Sequence, residues 1–239
     1  MIIVGDLHGG YPEMLSQIQK LGLEKTVFIQ VGDWGLGFQP VDPDKKALAQ
    51  IDKFLQRAQN HLYIIRGNHD NKWFWNHRDQ LHLKNVHLIQ DYEVQTIEQH
   101  KILFIGGGIS IDRTNRILNK NYWADEIVVY NEPLLAAACA NGIDMVISHI
   151  APKEVWPHTY NPLVLHFIAK EMTAGNDLSA ELKNERLLMS QVYQHVRAAG
   201  CREWYYGHYH ESHAEEKDGI VFRCVSIQEM YDTNCSTHE

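Results

Sequence analysis

The chain has few cysteines, and those it has are widely spaced. The four are Cys139, Cys201, Cys224 and Cys235, and no two of them form a C-x-x-C pair. This pattern argues against a disulfide framework or a cysteine-based zinc site as the basis of the fold. We therefore expect free thiols in a reducing compartment.

The sequence also lacks an apolar run that approaches 18 residues, the length that predicts a membrane span. Its first apolar stretch, Met1–Val4, reaches Gly5 and Asp6 too soon for the charged and apolar regions of a secretory leader. We therefore expect a cytoplasmic protein without a membrane partner.

An excess of basic residues is missing as well, since the formal net charge is -8. Generic binders of nucleic acid or of anionic membranes need a basic face, so nucleic acid is not a favoured partner. A nucleotide or phosphoprotein substrate stays open, because bound metal cations would reverse the sign of the charge locally. The oligomeric state also stays open.

The first third of the chain alternates short apolar segments with amphipathic ones. Three β-rich segments predict strands at Ile2–Val4, Val27–Val31 and Leu62–Ile65. Apolar residues at helical spacing predict helices between them, over Tyr11–Leu21 and Lys45–Gln59. A βαβαβ order of this kind predicts parallel strands.

Beyond residue 70 the pattern is mixed. Strands are predicted at Val86–Gln90, Glu93–Thr96, Ile102–Ile105, Met145–Ser148, Trp204–Tyr206 and Ile220–Val225, and helices at Pro133–Ala140, Leu163–Met172 and Leu182–Ala199. Short turns between the first three of these strands favour antiparallel pairing among them. The chain has no repeat or long linker, so we expect one α/β domain over residues 1–230 and a loose polar tail over 231–239.

Polar residues of the types that bind metals follow five of the predicted strands. They are Asp6 and His8, Asp33, Asn68 with His69, His149, and His208 with His210. Ligand sites of open α/β sheets lie beyond the carboxyl ends of the strands, so the five groups can meet in one crevice. Carboxylate and imidazole ligands without a thiolate are typical of hydrolytic Mn, Fe, Zn, Mg or Ni.

Five motifs occur in order between residues 5 and 210. They are Gly5-Asp6-x-His8-Gly9, Gly32-Asp33, Gly67-Asn68-His69-Asp70, Ser148-His149 and Gly207-His208-x-His210. Together they resemble the ordered signature of the calcineurin-like metallophosphoesterases, in their bacterial and phage-type members. The resemblance implies an α/β four-layer sandwich, in which two mixed β-sheets are flanked by helices and a dimetal site lies at one edge.

The resemblance also implies a role for each motif residue. The first metal would be held by Asp6, His8, Asp33 and His210, and the second by Asp33, Asn68, His149 and His208. Asp33 would bridge the two ions, Asn68 would also contact substrate, and His69 would be the catalytic histidine. The cofactors would be two divalent ions, with manganese preferred over iron, zinc, magnesium or nickel.

Two such cations, about 3.5–4 Å apart, lower the pKa of a shared water toward neutrality and so supply a hydroxide nucleophile. They also offset the charge that builds on the phosphoryl oxygens during in-line displacement. General-acid help from His69 would add about a hundredfold in rate.

The chain departs from the most familiar members of this family beside Asp33. Ser/Thr protein phosphatases and dinucleoside polyphosphate hydrolases typically read G-D-x-x-D-R-G, where this chain has Leu36 and Gly37 in place of the second aspartate and the arginine. An acidic partner of the catalytic histidine and a phosphate-binding arginine are therefore missing. The segment Asn68-His69-Asp70 likewise replaces the N-H-E of those subfamilies.

A second stretch contains arginines that can replace the missing one. The segment from Gly106 to Glu126 is similar to a G-G-A-x-S-x-D-x-x-x-R … W-W-x-x-E stretch of bacterial and phage-encoded members. It follows a predicted strand, so Arg113 and Arg116 can clamp a substrate phosphate. The alternative is that both arginines pair with surface carboxylates.

These features predict a metal-dependent hydrolase of phosphate esters, in the first place a phosphomonoesterase. Its substrate would be a small molecule, a nucleotide or a phosphoprotein. A phosphodiesterase or nuclease, or a dinucleoside polyphosphate hydrolase, would use the same site. A binding module with a degenerate site is a further alternative, which the presence of all seven ligands opposes.

Overall fold

The computed structural model describes residues 1–234. Its strands are β1 Ile2–Val4, β2 Val27–Gln30, β3 His61–Ile64, β4 Val86–Leu88, β5 Val94–Ile97, β6 His100–Ile105, β7 Met145–Ser148, β8 Glu203–Tyr206, β9 His213–Lys217, β10 Ile220–Cys224 and β11 Met230–Asp232. Its helices are α1 Tyr11–Leu21, α2 Val41–Arg57, α3 Trp73–Asn76, α4 Glu132–Cys139, α5 Pro162–Thr173 and α6 Leu178–Ala198.

The strands form two mixed sheets. The first has the order β11-β1-β2-β3-β4, in which β11 is antiparallel and the other four strands are parallel. The second has the order β5-β6-β7-β8-β10-β9, with antiparallel strands only at its two edges. The α/β class with two mixed sheets flanked by helices is therefore confirmed.

The alternation of side chains along each strand explains the four layers. Successive residues of a strand face opposite sides, so each strand contributes to two cores. Ile3 of β1 and Phe104 of β6 belong to the core between the sheets. Val4 belongs to the core under α1 and α2, and Trp204 of β8 packs into the core under α6.

The first helices follow the sequence closely. Pro12 lies in the first turn of α1, where its missing N–H costs nothing, and Gly22 ends the helix with φ 61°. The second helix begins at Val41 rather than at Lys45. Its first turn carries the acidic residues Asp42 and Asp44, so hydrophobic spacing could not reveal it.

The predicted antiparallel pairing is wrong for the strand at residue 86. β4 pairs in parallel with β3, since α3 and a 3-10 turn form the crossover that a parallel pair requires. Among the three strands from β4 to β6, antiparallel pairing joins only β5 and β6, with Val94 opposite Leu103. The chain thus passes from the first sheet to the second between β4 and β5.

The predicted boundary between domain and tail falls inside a strand. Tyr231 of β11 pairs with Ile3 of β1, so residues 231 and 232 belong to the first sheet. The end of the predicted tail, residues 235–239, lies outside the described residues. Within residues 1–234, the helices are too short or too polar to cross a membrane.

Candidate metal centre

All seven predicted metal ligands lie together where the strands of both sheets end. Asp6 and His8 follow β1, Asp33 follows β2, Asn68 follows β3, His149 follows β7, and His208 and His210 follow β8. The first sheet thus supplies four ligands and the second sheet three.

Sharp turns aim these side chains at one another. His8, Asp33, His208 and His210 all have left-handed backbones, with φ between 46° and 70°. Such conformations cost about 1–3 kcal/mol each for residues other than glycine, and they collect at functional sites. The backbone after β1, β2 and β8 therefore keeps a conformation that these residues disfavour.

Two glycines allow the carboxylates to pack directly against backbone. A Cβ atom on Gly67 would lie 2.0 Å from Oδ1 of Asp33, and one on Gly207 would lie 2.1 Å from Oδ1 of Asp6. Any side chain at either position would displace a carboxylate.

A first group of donor atoms consists of Asp6, His8 and His210. The Nε2 atoms of His8 and His210 are 3.0 Å apart. The Nε2 atom of His210 lies 3.3 Å from Oδ2 of Asp6, and ligand atoms of all three residues lie within 4.8 Å of one another. The backbone N–H of His208 donates to Asp6 at 2.9 Å and holds this carboxylate in place.

A second group consists of Asn68, His149 and His208. The amide oxygen of Asn68 lies 2.9 Å from Nε2 of His149 and 2.9 Å from Nδ1 of His208. On the far side of its ring, Nδ1 of His149 lies 2.8 Å from the carbonyl oxygen of Val31. A hydrogen bond there directs Nε2 of His149 into the group.

Asp33 lies between the two groups. Its Oδ1 atom is 3.5 Å from Nε2 of His149, and its Oδ2 atom is 3.8 Å from Nε2 of His8. The backbone N–H of His69 donates to Oδ1 at 2.8 Å. Asp33 therefore directs one carboxylate oxygen toward each group.

The electrostatics of the site suit divalent cations. Burial alone would raise the pKa of Asp33, but the imidazoles of His149 and His69 outweigh it and hold the pKa well below its usual range. Burial and the charge of His149 lower the pKa of His208 well below its usual value. The anionic carboxylate of Asp33 and the neutral imidazole of His208 are thus in the forms that ligate such ions. Burial would lower the pKa of His149, but Asp33 outweighs it and raises the pKa to about 9, so His149 would release a proton on binding an ion.

Comparison with known proteins agrees with this geometry. The model of the calcineurin-like phosphoesterase family matches residues 1–186. The chain belongs to this family. No curated protein matches the sequence. Among solved structures, the phosphopantetheinyl hydrolase of Mycobacterium tuberculosis has a similar fold, with a TM-score of 0.50 and 17% sequence identity over 95% of this chain and 89% of the other. The chain is thus a phosphoester hydrolase by family.

A chain of buried hydrogen bonds supports Asn68 in this phosphoesterase. The Nδ2 atom of Asn68 donates to Oγ of Ser110 at 2.9 Å, and Ser110 donates to Oε2 of Glu126 at 2.7 Å. Burial raises the pKa of Glu126 to about 7. Because the amide N–H is fixed by Ser110, the amide oxygen of Asn68 faces His149 and His208.

Asp70 anchors the loop in which this phosphoesterase departs from familiar relatives. Its carboxylate accepts hydrogen bonds from the backbone N–H groups of Trp34, Gly35, Leu36 and Gly67 at 2.8–3.2 Å. The loop after Asp33 is therefore held by Asp70 and not by an aspartate of its own.

The two candidate arginines have different surroundings. Nη1 of Arg116 lies 2.6 Å from Nδ1 of His69, and Asp112 accepts two hydrogen bonds from Arg116 at 2.6 and 2.8 Å. Arg116 thus lies beside the predicted catalytic histidine, at the edge of the metal centre.

Arg113 does not reach the metal centre. Its guanidinium forms hydrogen bonds with Glu181 at 2.6 and 2.8 Å and with the buried Glu171 at 3.0 Å. Arg113 thus follows the alternative for this segment, in which it pairs with carboxylates, and unlike Arg116 it does not line the cavity over the metal centre, so the expected phosphate contact does not apply to it.

A cavity of about 460 Å³ opens over the metal centre. Asp33, Asn68, His69, Arg116, His208 and His210 form one side of it. The opposite side comes from the 156–161 loop and from one face each of α5 and α6. Sequence reasoning missed Glu185 in this wall, because it lies among polar residues of α6 with no motif around it.

Proposed function

We propose that this chain is a metal-dependent phosphomonoesterase that acts on a small phosphorylated molecule. Two divalent ions, manganese in the first place, would be held by the Asp6–His8–His210 group and the Asn68–His149–His208 group, with Asp33 shared between them. The observation that carries the proposal is the position of Asp33, whose two carboxylate oxygens face the two groups. Bound there, the ions would activate a water and bind the phosphoryl oxygens.

His69 and Arg116 are suited to the part of the reaction that the protein itself performs. An N–H of Arg116 can donate to Nδ1 of His69 at 2.6 Å, which leaves the proton of the neutral ring on Nε2. That atom is 3.7 Å from Oδ2 of Asp33 and so faces the metal centre. From there it can donate a hydrogen bond to the phosphate or to the leaving oxygen.

Arg116 supplies the positive charge that the usual arginine of the family would provide. Its guanidinium lines the cavity and is oriented by Asp112 on one side. A planar guanidinium of fixed orientation binds phosphate oxygens well, because its N–H groups match their geometry.

Turnover of p-nitrophenyl phosphate with added Mn²⁺ tests this proposal. We expect phosphate release by the wild type, and its loss in Asp33→Ala and in Asn68→Ala. We expect His69→Ala to lower kcat by about a hundredfold while the bound metal is retained. Near-native rates in Asp33→Ala or Asn68→Ala would overturn the proposal.

Bis-p-nitrophenyl phosphate, a diester, separates the monoesterase from the alternative. A kcat/KM for the diester above that for the monoester would replace the proposed activity with a phosphodiesterase. His100→Ala is a suitable control in both assays, since His100 is exposed and lies on β6 away from the cavity lining.

A further inference from the structure

The cavity over the metal centre has a mainly apolar wall that contains one buried acidic residue. Ile109, Val164, Phe167 and Leu182 belong to this wall and pack into a small hydrophobic cluster between α5, α6 and the loop after β6. Glu185 of α6 lines the same cavity, although only 6% of its surface is exposed.

The carboxyl group of Glu185 is not fully used by the protein. Among residues 1–234, no group forms a hydrogen bond with its Oε1 atom. A buried polar atom without a partner costs about 1–3 kcal/mol, so such atoms are rare unless a ligand or water uses them. The neighbouring Arg186 does not form a hydrogen bond with it, because its terminal nitrogens donate to the carbonyl groups of Pro152, Val155 and Pro157.

Four aromatic side chains line the same cavity as this acidic group. They are Trp156, Tyr160, Phe167 and Tyr209. Aromatic rings favour flat apolar ligands, which stack on their faces or contact their edges. A cavity of about 460 Å³ also has the size of small-molecule sites, which enclose most of their ligand.

We propose that the cavity binds the leaving group of a phosphomonoester, and that this group is an uncharged aromatic ring system with an N–H that donates to Glu185. The inference rests on the proposed function, since it takes the phosphate to be held at the metal centre. Burial raises the pKa of Glu185 to about 8, which favours a neutral ligand over a cationic one near neutral pH.

Two chromogenic esters of similar shape test the inference. The ring of 3-indolyl phosphate carries an N–H, and that of 1-naphthyl phosphate does not. With Mn²⁺ present, we expect the wild type to have a kcat/KM about tenfold higher for the indolyl ester, which corresponds to the net effect of one buried hydrogen bond. Equal values in the wild type would overturn the inference.

Variants of Glu185 test whether the preference for the indolyl ester depends on this residue. We expect the ratio of the two kcat/KM values to fall to about one in Glu185→Leu and in Glu185→Ala. Glu185→Gln keeps a carbonyl acceptor and should retain most of the preference. A ratio that is unchanged in folded Glu185→Leu or Glu185→Ala would sink the assignment.

Glu171→Gln is the matched control. Glu171 is fully buried and also has an Oε1 atom without a partner among residues 1–234, but it does not line the cavity. Its substitution should leave the ratio unchanged, and a fall in the ratio there would show that the preference depends on packing alone. If the wild type releases no phosphate even from p-nitrophenyl phosphate, the proposed function fails; turnover without a preference defeats only the inference about Glu185.

Discussion

His8 and His210 are 202 positions apart in the chain, yet their Nε2 atoms lie 3.0 Å from each other. Both residues have left-handed backbones, and they come from different sheets. Two imidazole nitrogens this close share either a proton or a metal ion. The carboxylate of Asp6 lies 3.3 Å from Nε2 of His210 and completes a group of three residues that could hold a metal ion.

Removal of either imidazole should therefore weaken metal binding. We expect His8→Ala or His210→Ala to reduce Mn²⁺ affinity by more than about 100-fold, beyond the loss that outer residues of metal sites cause. Titration calorimetry and metal analysis after dialysis measure the effect. His100→Ala should bind as the wild type does; equal affinity in His8→Ala and the wild type would contradict the assignment.

The two arginines of the 113–116 segment should have separable effects. Arg116→Ala should lower kcat/KM for p-nitrophenyl phosphate while the unfolding transition stays in place. Arg113→Ala leaves the buried Glu171 without its partner, so it should cost about 3 kcal/mol in unfolding free energy. Urea unfolding and steady-state kinetics on both variants measure the two effects. A stability loss in Arg116→Ala together with a loss of kcat/KM in stable Arg113→Ala would refute the assignment.

The hydrogen bonds from Glu126 through Ser110 should affect the metal site through Asn68. In Ser110→Ala the amide of Asn68 loses its partner, and we expect metal affinity to fall by about 10–100-fold. Ser190→Ala is the matched control, because Ser190 is also buried and hydrogen-bonded but lies on α6 outside the cavity lining. Equal metal affinity in Ser110→Ala and Ser190→Ala would show that Ser110 does not position Asn68 for metal binding.

Glu185 should make stability depend on pH in a defined direction. Its pKa is raised from 4.5 to about 8 by burial, so the folded state holds a proton that the unfolded state releases. This difference in proton binding favours the folded state fully below pH 4.5, and the advantage is lost as the pH rises toward 8. The unfolding free energy should fall by at most about 1.4 kcal/mol per pH unit in that range. Urea unfolding at pH 5 and pH 8 should show a smaller decline in Glu185→Gln than in the wild type.

Glu171→Gln provides the comparison for this experiment as well. Burial would raise the pKa of Glu171, but Asn176 and Arg113 outweigh it and lower the pKa, so its titration falls below pH 5. Between pH 5 and pH 8 this variant should follow the slope of the wild type. An identical slope in Glu185→Gln would show that the Glu185 carboxyl titrates normally.

The sequence predicted which polar residues meet at the edge of the sheets, because these residues follow strands with clear apolar patterns. Asp6, Asp33 and His149 each lie within three residues of the buried end of a strand. Prediction failed where a strand forms through contacts that its own sequence pattern does not indicate. The strand β9 is mostly charged, and Tyr231 lies in a polar stretch that becomes a strand only by pairing with β1. The pairing of Arg113 with Glu171 and Glu181 depends on how α5 and α6 pack, which spacing along the chain does not encode.

The order of the ligands along the chain has a consequence for synthesis on the ribosome. Asp6, His8, Asp33 and Asn68 emerge early, whereas His208 and His210 emerge some 140 residues after Asn68. A nascent chain therefore exposes four of its seven candidate metal ligands long before the last two exist. Metal ions bound as proposed would find both groups complete only after residue 210 has left the exit tunnel, so selection of the metal would follow translation of nearly all the strands.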